Sequence, residues 1–350
     1  MDCIFCRVNT QAHHKKAGAV AGNPLETNML LNRRTLVAFC ALAAAATSYA
    51  QTYPNRPIRV VVPFPAGGGT DIIAREVTQK VTSASGWVFV VENKPGAAGN
   101  MGVDMVVKAP ADGYTLVLGQ SSNLAISPAL YAKMPYDAVK DLAPIVQLAN
   151  APFVLVTGTS APYKTLADVV KAARAKPRHL NFASPGNGTV AHLTGELLQS
   201  AAGIKMQHVP YKGAAQALTD VVSGNVDLYL GSVPTLIGQI RQGKMRSLAV
   251  TSAKRVDDLP EVPSINESGY KGFDAVTWFG LLAPAGTPRE VIAKLNSEFN
   301  RALGQSDLRK KLSDQGALPV GGSPEQFSSL IKEDIVRWGQ VVKQSGARID

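Results

Sequence analysis

The chain has 350 residues, with 36 Lys and Arg against 26 Asp and Glu and a formal net charge of +10. A hydrophobic fraction of 45% with 18% charged residues excludes a disordered, highly charged chain, and the length predicts about two domains of ordinary size. The basic residues are scattered rather than gathered in a stripe, and aromatic residues make up only 6%, so we expect no nucleic-acid partner.

The first predicted element is an export signal. Two arginines precede an apolar run at 36–46, and small residues follow up to Ala50. This pattern is typical of a secretory signal peptide, here covering 29–50 and cleaved after Ala50. We interpret residues 1–28, which precede a second Met, as an overrun of the translation start. All three Cys lie before the cleavage site, so the exported chain would have neither disulfides nor thiolate chemistry.

No later segment approaches the ~20 apolar residues of a membrane-spanning helix, so we expect no direct membrane insertion. From residue 57 onward, short apolar runs alternate with stretches of helical periodicity. This alternation predicts an α/β fold built on parallel sheets. The predicted strands are 58–62, 88–92, 114–118, 154–157, 180–183, 226–230 and 247–250, and the predicted helices are 71–82, 166–175, 190–201, 214–223, 289–303 and 324–344.

The stretch 143–157 contains two apolar runs separated by Asn150, Ala151 and Pro152. We interpret it as two strands in different sheets, joined by a crossover between two lobes. A second crossing near 269–275 would return the chain. The predicted lobes are 53–151 with 273–350, and 152–272.

The strongest local feature follows the first predicted strand, in VVVPFPAGGGTD at 60–71. Three glycines let the backbone approach a ligand, and Thr70 or Asp71 would cap the helix that follows. The exposed N–H groups and the helix dipole favour an anion there. The motif lacks the spacing of phosphate-binding and dinucleotide-binding loops. Taken alone, it is equally consistent with a tight strand–helix turn.

A second turn of the same kind occurs in FASPGNGT at 182–189. Ser184 and Thr189 offer hydroxyls, and residues 186–190 offer backbone N–H groups at a helix N-terminus. Ligands of open α/β sheets bind outside the carboxyl ends of the strands, at such turns. Two turns facing each other across a cleft between the lobes therefore predict a site for a small anion.

Catalytic alternatives are weaker. His192 and Glu196 lie four residues apart on one predicted helix, a spacing that can hold a metal or pair an acid with a base. No H-E-x-x-H motif and no nucleophile elbow occur, so we expect no metal and no catalytic residue. An exported hydrolase or lyase using His192, Glu196 and Asp227 is the competing hypothesis from another class.

Three further residues have two interpretations each. Tyr211, in a strand that runs into a turn, would reach the cleft or pack at the edge of a lobe. Lys212 would steer anions or remain solvated. Asp227, on an apolar strand, would bind a ligand amine or bond to backbone.

Eight motifs resemble, in order, the tripartite tricarboxylate transporter receptor family, whose members are also called Bug proteins. They are PFPAGGGTD at 63–71, NKPGAAGNMG at 93–102, ADGYTL at 111–116, LYAKMPYD at 130–137, FASPGNGT at 182–189, HVPYKG at 208–213, LAVTSAKR at 248–255 and WFGLLAPAGTP at 278–288. The resemblance covers about residues 53–350. It implies a monomeric, periplasmic Venus-flytrap receptor of type II topology, with a ligand cleft between two α/β lobes and no cofactor.

The resemblance also implies the ligand class and the partner. Family members bind small carboxylates, including amino acids, di- and tricarboxylates and aromatic acids, and deliver them to membrane transporter subunits. A sensor that presents its ligand to a membrane kinase is the alternative within the same class.

Carried over onto the matched motifs, the ligand contacts fall in the two turns and at a few further positions. They are Phe64, Ala66, Gly67, Gly68, Gly69, Thr70 and Asp71 in the first turn, Ser184, Gly186, Gly188 and Thr189 in the second, and Ser121, Asn123, Tyr211 and Asp227 elsewhere. Ser121, Ser122, Asn123 and Asp227 are candidates for choosing among ligands, but no motif fixes their roles. Lys94 stands where the family usually has arginine, in a loop that we expect to pack away from the ligand.

Overall fold

The computed structural model describes residues 53–345 and residue 347. The predicted signal peptide, the start-site overrun and all three Cys lie outside these residues. Within the described part of the chain, no helix combines the length and the hydrophobicity needed to cross a membrane.

Strands and helices alternate through most of this part of the chain. The strands are β1 Ile58–Val62, β2 Phe89–Asn93, β3 Thr115–Gln120, β4 Leu142–Gly158, β5 Asn181–Ser184, β6 Gln207–Pro210, β7 Leu228–Ser232, β8 Met245–Val250, β9 Val276–Pro284 and β10 Leu318–Pro319. The helices are α1 Gly69–Ser85, α2 Asn100–Val107, α3 Ser127–Leu130, α4 Leu166–Ala175, α5 Val190–Ala202, α6 Ala214–Val222, α7 Val233–Arg241, α8 Arg289–Leu303, α9 Ser306–Ser313 and α10 Pro324–Ser345. Each predicted helix is present, whereas α2, α3, α7 and α9 were not predicted.

The sheet of the first lobe runs in the order β2-β1-β3-β9-β4, with β10 paired to the far side of β4. The sheet of the second lobe runs β8-β4-β7-β5-β6. β1, β2 and β3 are parallel, as are β5, β6 and β7, but β4, β8, β9 and β10 pair antiparallel. The prediction of parallel sheets is therefore wrong for β4, β8, β9 and β10.

β4 is a single 17-residue strand that belongs to both sheets. Its first part pairs with β9 as far as Pro152, and β7 and β8 pair with it from Phe153 and Val154 onward. The interpretation of 143–157 as two strands is wrong, because the backbone stays extended where its neighbours change. Proline is tolerated there because a residue at such a change of partners can lack a ladder N–H.

The core of each lobe covers the faces of its sheet. Ile58, Val60 and Val62 of β1 pack with Ile73 and Val77 of α1, and all five are fully buried. In the second lobe, the buried face of α6 and α7 packs on β4 and β7. This packing fixes the carboxyl ends of β1, β3, β5, β6 and β7, where the helix N-termini begin.

Candidate functional site

Two neighbouring cavities lie where the predicted turns meet. The inner cavity, of about 60 Å³, is bounded by both lobes; its lining residues are Phe64, Pro65, Gly68, Gly69, Thr70, Gln120, Ser122, Phe153, Pro185, Thr189, Val190, Gly213, Ala214, Tyr229, Ser232, Thr235 and Phe279. The outer cavity, of about 400 Å³, shares Phe64, Pro65, Pro185 and Thr189 with it and adds Pro63, Pro95, Gly96, Ala97, Ala98, Gly99, Tyr131, Gly186, Asn187, Tyr211 and Lys212. Larger hollows beside α4 and beside α10, of about 900 and 540 Å³, include neither turn.

The first turn places its later residues at the inner cavity. Gly68, Gly69 and Thr70 line it, whereas Ala66 and Gly67 are exposed and line neither cavity. Helix α1 begins at Gly69, with Gly68 in an extended conformation before it and no side-chain cap. The predicted cap by Thr70 or Asp71 is therefore wrong, because both residues already lie in the first helical turn.

Asp71 holds the first turn together from behind. Its carboxylate accepts the backbone N–H of Gly67 at 3.0 Å, the Asn93 amide at 2.9 Å and the Arg75 guanidinium at 3.0 Å. Burial alone would raise the pKa of Asp71, but the hydrogen bonds from Arg75, Gly67 and Asn93 together lower it. The Asn93 amide also donates to the Phe64 carbonyl. Asp71 lines neither cavity, so it stabilises the turn rather than contacting a ligand there.

The loop after β2 lines the outer cavity. Pro95, Gly96 and Gly99 lie on the wall of the outer cavity, opposite the second turn. Ala97 and Ala98 have positive φ values of 47° and 54°, a conformation that residues with a Cβ rarely adopt. None of residues 93–99 lines the inner cavity, so the expectation that this loop packs away from the ligand stays a prediction.

The second turn is bonded chiefly to itself. Thr189 lines both cavities and Gly186 lines the outer one, but Ser184 and Gly188 line neither. The Ser184 hydroxyl lies 2.7 Å from Nε2 of His208 and bonds to the backbone of Gly186. The Thr189 hydroxyl donates to the Gly186 carbonyl at 2.7 Å. These bonds fix the shape of the turn. The backbone N–H groups of the turn are engaged as well: those of Gly186, Gly188 and Val190 donate to Ser184, His192 and Ser122.

Two stacked histidines support the second turn. The rings of His192 and His208 are 4.0 Å apart between centroids and nearly parallel, at 15°. Nδ1 of His192 accepts the backbone N–H of Gly188 at 3.3 Å. Burial lowers the pKa of His192 to about 4, and burial with the neighbouring ring lowers the pKa of His208 to about 3. Both rings are therefore neutral near pH 7.

The remaining predicted residues are distributed unevenly. Ser121 accepts the backbone N–H of Trp278, and Asn123 accepts the backbone N–H of Gln120; neither lines a cavity. Tyr211 lines the outer cavity and donates to Asp220, and burial together with that carboxylate raises its pKa to about 12. Nε2 of His192 and Oε1 of Glu196 are 4.0 Å apart, and this pair lines neither cavity.

Asp227 is not brought to the turns. It lies just before β7, at the opposite end of that strand from Ser232, and it pairs with Asn181. Its backbone N–H donates to the Asn181 side chain at 2.8 Å, and its carboxylate accepts the Asn181 backbone N–H at 2.9 Å. Of its two interpretations, the structure favours the bond to backbone.

Four helix N-termini point at the inner cavity. α1 begins at Gly69, α5 at Val190, α6 at Ala214 and α7 after Ser232, and residues at each of these starts line the cavity. None of the described residues that line it carries a formal charge. The positive ends of the helix dipoles therefore favour an anion without an arginine. Two of the backbone N–H groups at these starts, those of Gly69 and Val190, donate to hydroxyls.

Sequence reasoning identified the helix starts at α1 and α5 and missed the contribution of α7. The available signal was Ser232-Val233-Pro234, because serine followed by proline in the first turn is typical of a helix start. Gln120, Tyr229 and Thr235 were also missed. Tyr229 and Thr235 have apolar neighbours on both sides in the sequence, and Gln120 ends β3, so no local motif marks any of the three.

The lobes contact each other directly around the inner cavity. The backbone N–H of Gly69 donates to the Thr235 hydroxyl at 2.9 Å, and the backbone N–H of Val190 donates to the Ser122 hydroxyl at 3.1 Å. Each bond joins a helix N-terminus of one lobe to a hydroxyl of the other. The structure therefore represents the lobes drawn together.

Comparisons with known proteins agree on one family. A family model described as tripartite tricarboxylate transporter family receptor matches residues 73–347. Protein BugT of Bordetella pertussis is 38% identical over 306 residues, which cover 87% of this chain and 94% of BugT.

Two solved structures are also similar. Rpa4515 of R. palustris, solved with adipate, has a TM-score of 0.83 and 36% identity, covering 85% of this chain and 100% of that chain. MatC of Rhodopseudomonas palustris, with bound malate, has a TM-score of 0.78 and 34% identity, covering 83% of this chain and 100% of that chain. These matches confirm the predicted two-lobed α/β fold.

Proposed function

The chain belongs to the tripartite tricarboxylate transporter receptor family, and on that premise we propose that it captures a small carboxylate between its lobes and delivers it to a membrane transporter. Members of this family are periplasmic solute-binding receptors, not enzymes. The proposal includes export through the signal peptide at 29–50 and action as a monomer.

The observation that carries the proposal is the convergence of four helix N-termini on one uncharged cavity between the lobes. A carboxylate placed there accepts hydrogen bonds from backbone N–H groups and lies in the positive potential of four helices. We place its oxygens at Gly69 and Thr70 on one side and at Thr189 and Val190 on the other. There the carboxylate replaces the hydroxyls of Thr235 and Ser122 as the acceptor of the Gly69 and Val190 N–H groups. The apolar part of the acid contacts three aromatic side chains that line the cavity, Phe64, Phe153 and Phe279.

The size of the inner cavity implies that the lobes move. About 60 Å³ holds a few water molecules, whereas sites for small ligands usually measure ~300–1,000 Å³. We propose that lobes 53–151 with 273–350, and 152–272, separate about the crossings near Asn150 and Gly272. Entry of the acid from the outer cavity and closure over it follow from hinge motion at these two positions.

Rpa4515 was solved with adipate and MatC with malate, which makes dicarboxylates the first candidates for this chain. The test is a thermal-shift screen of the purified protein against adipate, malate, succinate, citrate, aspartate, nicotinate and hexanoate. Adipamide, the neutral diamide of adipate, is the matched control. An acid at roughly 100 times its dissociation constant should stabilise the protein by about 2.7 kcal/mol, and the diamide should not. Equal shifts for adipate and adipamide, or no shift with any acid, would contradict the proposal.

A further inference from the structure

Three residues that line the inner cavity each carry a polar side-chain group with no hydrogen-bond partner among the described residues. These groups are the Thr70 hydroxyl, Nε2 of Gln120 and the Tyr229 hydroxyl, on residues that are 4%, 7% and 1% exposed. None of the three is among the fully buried side-chain atoms that lack a partner, so each keeps some surface that water or a ligand can reach. Polar groups in such surroundings are almost always paired, and at this cavity the partner is either water or a polar group of a ligand.

The Gln120 side chain is held in one orientation. The Thr277 hydroxyl donates to Oε1 of Gln120 at 3.2 Å, and the Gln120 backbone N–H donates to Asn123 at 3.0 Å. Gln120 ends β3, so its side chain emerges where the parallel strands of the first lobe stop. With Oε1 engaged, Nε2 is the atom left to meet a ligand, and an amide nitrogen can only donate.

Tyr229 faces the same cavity from the other lobe. It lies in β7 with its ring packed in the core of the second lobe, and no described residue bonds to its hydroxyl. Burial raises the pKa of Tyr229, so the hydroxyl keeps its proton and can donate it to an oxygen acceptor. One ligand group bonded to both Gln120 and Tyr229 would join the two lobes.

We propose that Gln120 and Tyr229 contact the ligand and select acids that carry a second oxygen acceptor. This inference rests on the function proposed above. The carboxylate of the acid occupies the helix N-termini, and Gln120 and Tyr229 donate to a further carboxylate, keto or hydroxyl oxygen. The ligand class is thus a dicarboxylate or an oxygenated acid rather than an acid with an apolar tail.

The first test compares adipate with hexanoate by calorimetry. The two acids have the same chain of six carbons, but a methyl group in hexanoate replaces the second carboxylate. Hexanoate should bind at least roughly tenfold more weakly than adipate. Malate, which has a second carboxylate like adipate, should also bind more tightly than hexanoate. Hexanoate binding as tightly as the tightest dicarboxylate of the screen would overturn the inference.

The second test uses Gln120→Leu, Tyr229→Phe and, as the matched control, Gln340→Leu, whose residue is exposed in α10 and lines neither cavity. Loss of a hydrogen bond to a charged acceptor should weaken binding of the tightest acid of the screen by roughly 10- to 150-fold in each of the first two variants. The control should stay within twofold of the wild type.

A pH profile separates ligand contact from a structural role. In Gln120→Glu, a carboxylate would face the bound anion, so binding at pH 7.5 should be weaker than in Gln120→Leu. Because burial and the anion both favour the protonated form, Gln120→Glu should regain affinity relative to the wild type between pH 7.5 and pH 5.5, and Gln120→Leu should not.

The outcomes are distinguishable. If the wild type binds an acid and both Gln120→Leu and Tyr229→Phe bind it within twofold, the inference is wrong and the proposed function stands. If no acid of the screen binds the wild type, the proposed function fails and the inference fails with it. Unfolding of each variant in urea at pH 7.5 verifies that its fold is retained.

Discussion

The backbone N–H of Gly69 in α1 donates to the Thr235 hydroxyl of α7 at 2.9 Å, which joins the two lobes across the cleft. A Cβ added at Gly69 would lie 2.6 Å from Oγ of Ser232, closer than real Cβ atoms approach such a neighbour. The lobes therefore meet at a backbone atom, and a side chain at this position would hold them apart.

Gly69→Ala should weaken acid binding and leave the lobes less tightly closed, because the added methyl group meets Ser232. Gly238→Ala in α7 is the matched control, because its Cβ would meet no atom within 4 Å and the residue lines neither cavity. Removing the obstructing hydroxyl in Gly69→Ala with Ser232→Ala should restore part of the affinity. Calorimetry measures the affinities, and small-angle scattering measures the compaction. Equal binding by Gly69→Ala and Gly238→Ala would contradict this account of closure.

The stacked pair of His192 and His208 should make the protein less stable in acid. Their pKa values in the folded state, about 4 and about 3, lie below the unfolded value near 6.5. Between these pH values the unfolded state binds more protons than the folded state. The contribution of the two histidines to the free energy of unfolding is therefore fully present above about pH 6.5 and is lost as the pH falls toward 4. The slope should approach about 1.4 kcal/mol per pH unit for each histidine.

Urea unfolding measured from pH 7.5 to pH 4.5 tests this dependence. His208→Gln should lower stability at pH 7.5, because it disturbs Ser184 and the stack, and it should flatten the slope. His179→Gln, at an exposed position, is the control and should leave the slope unchanged. The account fails if His208→Gln retains the slope of the wild type.

Local patterns predicted the two turns, because a glycine-rich segment followed by a helix can be recognised from consecutive residues alone. The break at Asn150-Ala151-Pro152 was misread as the end of a strand, since the change of partners that keeps β4 extended is visible only in three dimensions. Asp227 was placed near the ligand on its apolar strand, but its position along β7 relative to the turns depends on register. Gln120 and Tyr229 reach one cavity from different lobes, and no single segment of sequence encodes that meeting.

Asp71→Ala should weaken both the fold and binding, whereas Asp227→Ala should leave binding unchanged. Asp71 accepts hydrogen bonds from Gly67, Arg75 and Asn93, and its loss should cost about 1–3 kcal/mol and loosen the first turn. The Asp227 carboxylate accepts the backbone N–H of Asn181, and the Asp227 backbone bonds to the side chains of Asn181 and Thr157. Asp227 lines neither cavity, so removal of its side chain should affect stability alone. Calorimetry and urea unfolding on both variants decide this. A loss of affinity in Asp227→Ala would reinstate it as a binding residue.

Asp334→Ala should destabilise the first lobe on the order of 3 kcal/mol. Its buried carboxylate accepts the indole N–H of Trp278 at 2.7 Å and that of Trp338 at 3.1 Å, and both donors would be left unpaired in the core. Asp314→Ala, which removes an exposed pair with Lys310, is the control and should cost less than about 1 kcal/mol. Similar urea midpoints for the two variants would contradict the importance of this buried cluster.

The central claim is that a carboxylate binds where four helix N-termini converge, and a crystal structure of the complex with the tightest-binding acid of the screen tests it most directly. The account predicts a carboxylate oxygen within 3.2 Å of a backbone nitrogen at Gly69, Thr70 or Val190 (roughly the limit of an N–H to oxygen hydrogen bond). Density for the acid in the hollow beside α4 or beside α10, with the inner cavity holding only water, would contradict it.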